Sequence, residues 1–533
     1  MQRKYIDIHA AMGRTNFKEP EIPYTAEQLK EEMAYYRMHG ALITSQNAKD
    51  YSPVMGNKQV LKAVSENPRL FAAAVIIPDF RFEMREGETY LQTLADAGVR
   101  AFKMYPSAFQ HGFDPFTLEE TAEFMAARNI PLMVNAYDVK FEDIRQVLSA
   151  FPKLNIVMCN AYWSANRQVF PMMERFENLY MDISGNQAND ILPLCKQYFG
   201  VDRVLFGSDY PNKVTGGIKA LVEYSGLSEE EKNKVAAENA AKLFRIDLDA
   251  LPLYEESKCR LDTLAKKMDE GRPLSDVLVI DAHTHMVDGA HEVISSTPIY
   301  HGDADAMVQK MDSLGIDTIL VSPWEGITTV ETANETAQAA CEKYPGRVLA
   351  YATYNPHYPE DLEKVIEFYH EECRFVGIKP YPPHHKLSLK DTRYERWFAY
   401  GNENRLLMLI HADNPDTIRT VDELSEVYPE ISFILAHGGM SYPIARKAAE
   451  VAKKRANVYV EITYTALTNG VVEYLVAEAG ADKVLYGSDM PMRDPAPQLA
   501  WVCYAKIPEA DKRKILGGNA KRLLMRCFTK GES

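Results

Sequence analysis

Seven cysteines occur in 533 residues, an odd number, and none falls in a Cys-x-x-Cys pair. A disulfide framework or a thiolate zinc site is thereby excluded as the organising feature, and scattered thiols fit a reducing compartment. Positive charge is also in short supply: 60 Lys and Arg stand against 75 Asp and Glu, a formal net charge of −15. A nucleic-acid partner needs a basic face, so none is expected. Long hydrophobic runs are missing too. The longest, Leu70 to Pro78, is far too short to cross a bilayer. Met1-Gln-Arg-Lys leads into a strand-like segment rather than an apolar stretch, so neither a signal peptide nor a membrane partner is expected, and the expected location is cytoplasmic. What remains is ordinary globular composition, 46% hydrophobic and 25% charged. The length exceeds one hydrophobic core, and half of it matches a single large α/β barrel.

The chain says the same thing twice. Ile6-Asp-Ile-His9-Ala-Ala11 returns as Ile280-Asp-Ala-His283-Thr-His285, and Phe102-Lys103-Met-Tyr-Pro106 as Ile378-Lys379-Pro-Tyr-Pro382. Val204-Leu-Phe-Gly-Ser-Asp209-Tyr-Pro211 returns as Val484-Leu-Tyr-Gly-Ser-Asp489-Met-Pro491, and Asn239-Ala-Ala-Lys-Leu-Phe as Asn519-Ala-Lys-Arg-Leu-Leu. The spacing between paired landmarks drifts by only a few residues. That is a duplicated domain and not a solenoid, whose period would be about 20–50 residues. We place the first copy at 1–247, a linker helix at 248–275 within a charged stretch that includes Glu255–Glu270, and the second copy at 276–533.

Each copy alternates short β-like runs with helical stretches, the pattern of a parallel sheet. In the first, Tyr5–His9, Ala41–Thr44, Leu70–Ile77, Val99–Met104, Pro131–Val134, Asn155–Met158, Leu179–Asp182 and Val204–Phe206 read as strands. Thr25 is a candidate N-cap for a helix over Ala26–His39, which Gly40 is placed to close. The second copy repeats the series as Leu278–Asp281, Thr318–Val321, Val348–Thr353, Phe375–Ile378, Leu407–Ile410, Ser432–Ala436, Val458–Glu461 and Val484–Tyr486. Eight strands per copy predict two tandem (β/α)8 TIM barrels, an α/β fold with no sheet edge left open.

The polar residues of interest follow the C-terminal ends of these runs, the face on which such barrels carry their sites. His283 and His285 share one side of strand one. His411 follows Leu-Met-Leu-Ile410, His437 follows Phe-Ile-Leu-Ala436, and Asp489 follows Leu-Tyr-Gly-Ser488. Imidazole nitrogen and carboxylate oxygen together suit Zn²⁺ or a neighbouring divalent ion. The first copy has His9, Lys103 and Asp209, but Ala11, Asn135 and Asn160 stand where the other three histidines would be.

With Asp-Ala-His283-Thr-His285, Gly-Ile-Lys379-Pro-Tyr-Pro, Ile-His411-Ala-Asp, Leu-Ala-His437-Gly-Gly, Gly-Ser-Asp489-Met-Pro and Gly-Gly-Asn519-Ala in this order, the chain resembles the amidohydrolase superfamily, in its amidohydrolase-related (type 2) branch. The resemblance implies one divalent metal ion, with zinc as the expected metal, held by His283, His285, His411 and Asp489. It makes His437 an acid/base or electrophilic group. Asp489 would also relay a proton from a metal-activated water.

The expected function is hydrolysis of a small carbonyl compound such as an amide, lactone or related acid. The same ligands also serve non-oxidative decarboxylases, and a third alternative is a ligand-binding protein without turnover. Lys379 is expected to form an ion pair or touch a substrate carboxylate rather than become a bridging carbamate, because the first copy keeps Lys103 without the ligand set. Arg493 is either a forked carboxylate contact or a loop arginine. Trp324, Glu325 and Tyr381 are pocket candidates, and the tandem His384-His385 reads as solvent-facing. Glu461 is expected to hold neighbouring strand ends. The first copy reads as a pseudoenzyme domain in which Asp209 pairs with Lys103, and pairing of the two barrels within the chain is expected to be its use.

Overall fold

The computed structural model describes residues 3–15, 19, 22–78, 87–254, 261–289, 291–293, 298–464 and 468–528. The chain divides into two compact units, Met1–Leu261 and Asp262–Ser533. Of the expected connector, residues 255–260 lie outside the described residues, and the helix Thr263–Asp269 belongs to the second unit. No helix among the described residues is long and apolar enough to cross a membrane.

In the first unit the parallel strands are β1 (Ile6–Met12), β2 (Gly40–Ser45), β3 (Leu70–Val75), β4 (Ala101–Met104), β5 (Leu132–Asn135), β6 (Ile156–Cys159), β7 (Leu179–Asp182) and β8 (Val204–Leu205), paired in chain order. In the second they are β9 (Ile280–Thr284), then a short antiparallel pair β10 (His291–Val293) and β11 (Pro298–Tyr300). There follow β12 (Thr318–Val321), β13 (Val348–Ala352), β14 (Gly377–Ile378), β15 (Leu407–His411), β16 (Ser432–Ala436), β17 (Val458–Glu461) and β18 (Val484–Leu485). Strand nine and strands twelve to eighteen form the second eight-stranded sheet, again in chain order.

Both sheets close. Ile8 N donates to Phe206 O at 3.0 Å, and Ala282 N to Tyr486 O at 3.0 Å, so strand eight of each copy meets strand one. A buried aspartate reinforces each seam: Asp281 Oδ1 accepts from His283 N (3.1 Å) and Ser488 N (3.0 Å), and Asp7 Oδ1 from His9 N (3.0 Å) and Ser208 N (2.9 Å). These are the two (β/α)8 barrels that the alternation predicts.

Inward apolar side chains fill each barrel below its mouth. In the second, Ile280, Leu320, Tyr351, Leu407, Leu409, Ile434 and Leu485 cluster with Ala520, Leu523 and Leu524 of the last helix, Asn519–Phe528. That helix seals the N-terminal ends of the strands. Asn519 Nδ2 donates to Ala481 O and Val484 O, and the first unit repeats the bond from Asn239 to Val201 O and Val204 O. A wide π turn precedes it in both copies, Lys234–Glu238 and Lys514–Gly518. Its physical reason is visible: Val235 O and Ile515 O each accept from a strand-eight amide, Phe206 N and Tyr486 N, both at 3.1 Å.

Two of the departures from the sequence reading have a clear local cause. The helix after β1 runs only Ala26–Tyr35, opened by a Thr25/Gln28 capping box, and ends because Arg37 turns into the left-handed region at φ 56°. Gly40 therefore opens β2 instead of closing the helix. The first strand of the second barrel spans Ile280–Thr284 rather than Leu278–Asp281, with a register shift against β12 between Asp281 and Thr284. That bulge re-aims His283 and His285 at the mouth.

Candidate metal centre

Three of the four expected donors, His283, His285 and Asp489, meet over the second barrel, joined by His437, which was expected as an acid/base group. Asp489 Oδ1 lies 3.1 Å from His285 Nε2 and 3.4 Å from His283 Nε2. His283, His437 and Asp489 each bring a donor atom within 4.8 Å of the others'. His411 stands slightly apart: its Nε2 is 3.3 Å from Asp413 Oδ2, its Nδ1 3.2 Å from His437 Nε2, and its side chain is 44% exposed.

Each imidazole is oriented by an oxygen on its far side, as metal-binding histidines require. His283 Nδ1 donates to Glu461 Oε2 (3.0 Å), His285 Nδ1 to Ser322 O (2.8 Å) and His437 Nδ1 to Thr463 O (3.0 Å). The inward nitrogens then carry lone pairs. His283 Nε2 is fully buried and has no hydrogen-bond partner among the described residues. His411 Nδ1 and His437 Nε2 face one another the same way, a repulsive arrangement unless a cation or a proton lies between or beside them. Burial holds His283 and His437 well below the usual histidine range and His285 down at about 3, with the Lys379 charge adding to the effect on His283 and His285. Neutral imidazoles are what a metal needs. An orphaned buried nitrogen, neutral rings and an adjacent carboxylate fit a divalent ion.

The backbone pays for this aim. His437 and Asp489 sit at φ 63° and 65°, and their counterparts Asn160 and Asp209 at 52° and 60°. Gly487 is required for a different reason: a Cβ there would stand 2.4 Å from Glu461 Oε1. Glu461 is thus packed under the Gly-Ser-Asp turn. Its carboxyl is raised to about 7 by burial, with the Thr463 hydrogen bonds opposing. The sequence reading of Glu461 as a strand-end tie was incomplete, since it also orients His283. Replacing it by glutamine keeps the shape but offers His283 Nδ1–H a weaker acceptor. Metal affinity, read by chelator competition, should fall about 10–100-fold.

Around the donors lies a cavity of about 530 Å³. Trp324 packs edge-on to the His285 ring at 5.1 Å, and Tyr381 Oη is 2.7 Å from Ser322 Oγ. Lys379, 1% exposed, lies over the Tyr381 ring at 5.6 Å, its pKa lowered to about 7 by burial and partly restored by Glu461. Arg493 is buried too. It ion-pairs Asp489 through Oδ2, leaving Oδ1 toward the histidines, and lies over the Tyr464 ring at 5.3 Å. The tandem histidines divide: His384 lines the cavity, while His385 is buried with Nε2 3.1 Å from Ile327 O. Glu325 does not line it and accepts from Asp288 N. Tyr464, Met492, Asp413 and Asn414 line it without having been foreseen. Asp413 and Asn414 follow His411 directly and could have been suspected from position alone.

The first barrel keeps the frame but has Ala11, Asn135 and Asn160 where three of the histidines stand in the second. His9 Nδ1 is 2.7 Å from Asp182 Oδ2, the counterpart of the His283–Glu461 bond. Asn135 Nδ2 is spent on Tyr137 Oη and Asp138 Oδ2. The expected Asp209–Lys103 ion pair is replaced by another: Asp209 Oδ2 pairs with Lys213 Nζ at 3.2 Å, whereas Lys103 Nζ bonds His9 Nε2 at 2.8 Å.

Two closed parallel barrels, one with imidazoles and a carboxylate gathered at its strand ends, define a duplicated α/β-barrel protein with a candidate divalent-metal site in its second half. The Amidohydrolase family model matches residues 6–246 and 280–526, and the chain belongs to that family. Its curated relatives include a gamma-resorcylate decarboxylase of Polaromonas sp. (strain JS666 / ATCC BAA-500), 24% identical over 293 residues, covering 41% of this chain and 86% of that protein. Similar solved structures match about half of this chain, as two examples show. One is a 2,6-dihydroxybenzoate decarboxylase from Rhizobium, 18% identical with a TM-score of 0.38, covering 47% of this chain and 99% of that one. Another is a 5-carboxyvanillate decarboxylase from Novosphingobium aromaticivorans complexed with manganese, 16% identical with a TM-score of 0.39, covering 47% and 97%.

Proposed function

We propose that the second barrel is a metal-dependent, non-oxidative decarboxylase of a small aromatic carboxylic acid, with His283, His285, His411 and Asp489 holding one divalent ion. The observation that carries this reading is the buried Lys379, set beside the donor cluster in a cavity walled by Trp324, Tyr381 and Tyr464. A buried cation calls for an anion, and aromatic walls for a flat apolar body. The curated relative named as a gamma-resorcylate decarboxylase points the same way. Of the reactions left open by the sequence, decarboxylation therefore displaces hydrolysis as the leading one.

When bound, the ion would polarise a substrate oxygen and grip the acid. Lys379 supplies positive charge to the carboxylate or to a neighbouring oxyanion, and binding an anion favours its charged form over the neutral one that burial promotes. Trp324 and Tyr381 fix the plane of the ring. Arg493 holds Asp489 by one oxygen so that the other keeps its aim at the histidines. The bond between ring carbon and carboxylate breaks, the electron pair stays on the ring carbon, and carbon dioxide departs. A proton must then reach that carbon. Asp489 or His437 would relay it there from solvent.

The full chain, reconstituted separately with manganese and zinc, should release one carbon dioxide per acid consumed from a panel of hydroxylated benzoic acids. It should leave amides and lactones of similar size intact. Hydrolysis of those esters or amides with the acids untouched would return the site to the hydrolase reading, and metal analysis of the active form identifies the ion.

A further inference from the structure

We propose that the Lys103 ammonium is the resident cation of the first barrel, standing where the second barrel has room for a metal ion. The two halves have the same frame up to that point. A carboxyl oxygen of Asp182 or Glu461 accepts a hydrogen bond from the Nδ1–H of a strand-one histidine, which leaves the lone pair of Nε2 pointing into the mouth. In the second barrel that nitrogen is orphaned; in the first it accepts a hydrogen bond from Lys103 Nζ at 2.8 Å. Both lysines lie over the tyrosine two residues on, Lys103 over Tyr105 at 5.2 Å and Lys379 over Tyr381 at 5.6 Å, but among the described residues only Lys103 bonds its strand-one histidine.

The other donor atoms of the first barrel are committed as well. Asp209 Oδ2 is held by Lys213 Nζ and Asn160 Nδ2, each at 3.2 Å, and Oδ1 by Asn212 Nδ2 at 3.2 Å. Lys213 is the counterpart of Arg493, four residues beyond the strand-eight aspartate, and its ammonium also reaches Asn160 Oδ1 (2.6 Å) and Ser184 O (3.2 Å). His9, Cys159 and Asp182 are close enough to suggest a second metal cluster. The chemistry opposes it. Burial keeps the Cys159 thiol protonated, while Asp182 is consumed by His9 on one oxygen and by Asn160 N, Ser184 N and Ser184 Oγ on the other.

Burial alone would push Lys103 toward its neutral form, and the nearby Asp209 carboxylate opposes it, whereas in Lys379 burial wins. The first barrel thus neither fits a metal nor requires one. It is a member of a metal-binding fold that has internalised its cation.

Hydrogen exchange followed by mass spectrometry on the full chain reads each half separately. In the wild type, manganese or zinc against chelator should change protection in peptides from 278–287 and 484–490, with no change in 4–12 and 204–210. Lys103→Met should lower protection in 4–12 and 204–210 by about tenfold or more, because it leaves a buried polar partner unpaired, and Lys103→Arg should restore much of it. Metal-dependent protection in 4–12 of the wild type, or a second bound ion lost on His9→Ala, would overturn the proposal. So would Lys103→Met exchanging like the wild type.

Discussion

His283→Ala should empty the second barrel of metal, taking the protein from one ion per chain to background after dialysis and abolishing turnover, while His9→Ala leaves the metal count unchanged. The asymmetry follows from what each histidine faces. His283 Nε2 is buried, unpartnered, and 3.4 Å from Asp489 Oδ1, so its lone pair has no other use. His9 Nε2 is already engaged by Lys103. Loss of the fold is not expected to confuse the result. The group abandoned by His283→Ala is Glu461, whose carboxyl burial has already raised to about 7, so it takes up a proton instead of remaining a buried charge. Thermal unfolding of the metal-free wild type and metal-free His283→Ala should therefore differ far less than their metal contents do. Two ions per chain in the wild type, with one retained in His283→Ala, would defeat the assignment.

Much of this was legible in the sequence for a simple reason. The strands of a parallel barrel are buried on both faces, so they read as short apolar runs, and Leu179–Asp182, Thr318–Val321, Ser432–Ala436 and Val458–Glu461 match the structure residue for residue. Donor positions were legible because a barrel puts its chemistry at the ends of those runs. Hydrogen-bond choices within the mouth were not. A lysine stem is long enough to reach either a histidine or an aspartate, and only the packed structure sends Lys103 to His9 and leaves Asp209 to Lys213. Likewise nothing in the string Leu-Ile-His-Ala-Asp says that His411 turns one nitrogen to Asp413. The partner of His283 was hidden for another reason: Glu461 lies far along the chain, and the length of a strand-end carboxylate cannot be read as a contact. The internal repeat offered one usable clue, since Asp182 stands at the same place in the copy that lacks three of the four histidines.

His437→Asn is the sharpest test of how the proton moves. We expect turnover to fall by about 10²–10⁴, the usual worth of a general acid or base, with metal content close to that of the wild type. The backbone should tolerate the change. His437 sits at φ 63°, a conformation asparagine adopts more readily than most residues, and Asn160 holds φ 52° at the same place in the first barrel. What asparagine cannot replace is the Nε2 lone pair, 3.2 Å from His411 Nδ1, on a ring anchored through Nδ1 to Thr463 O. A ring so anchored and so strongly biased toward neutrality presents Nε2 as an acceptor, so it passes a proton on only after taking one up. The competing assignment makes His437 a ligand, because its nitrogen reaches the same space as His283 and Asp489. His411→Asn separates the two. If His411 is the fourth ligand, that variant loses metal while His437→Asn keeps it. The reverse pattern would exchange their roles, leaving His411, paired with Asp413, to carry the proton.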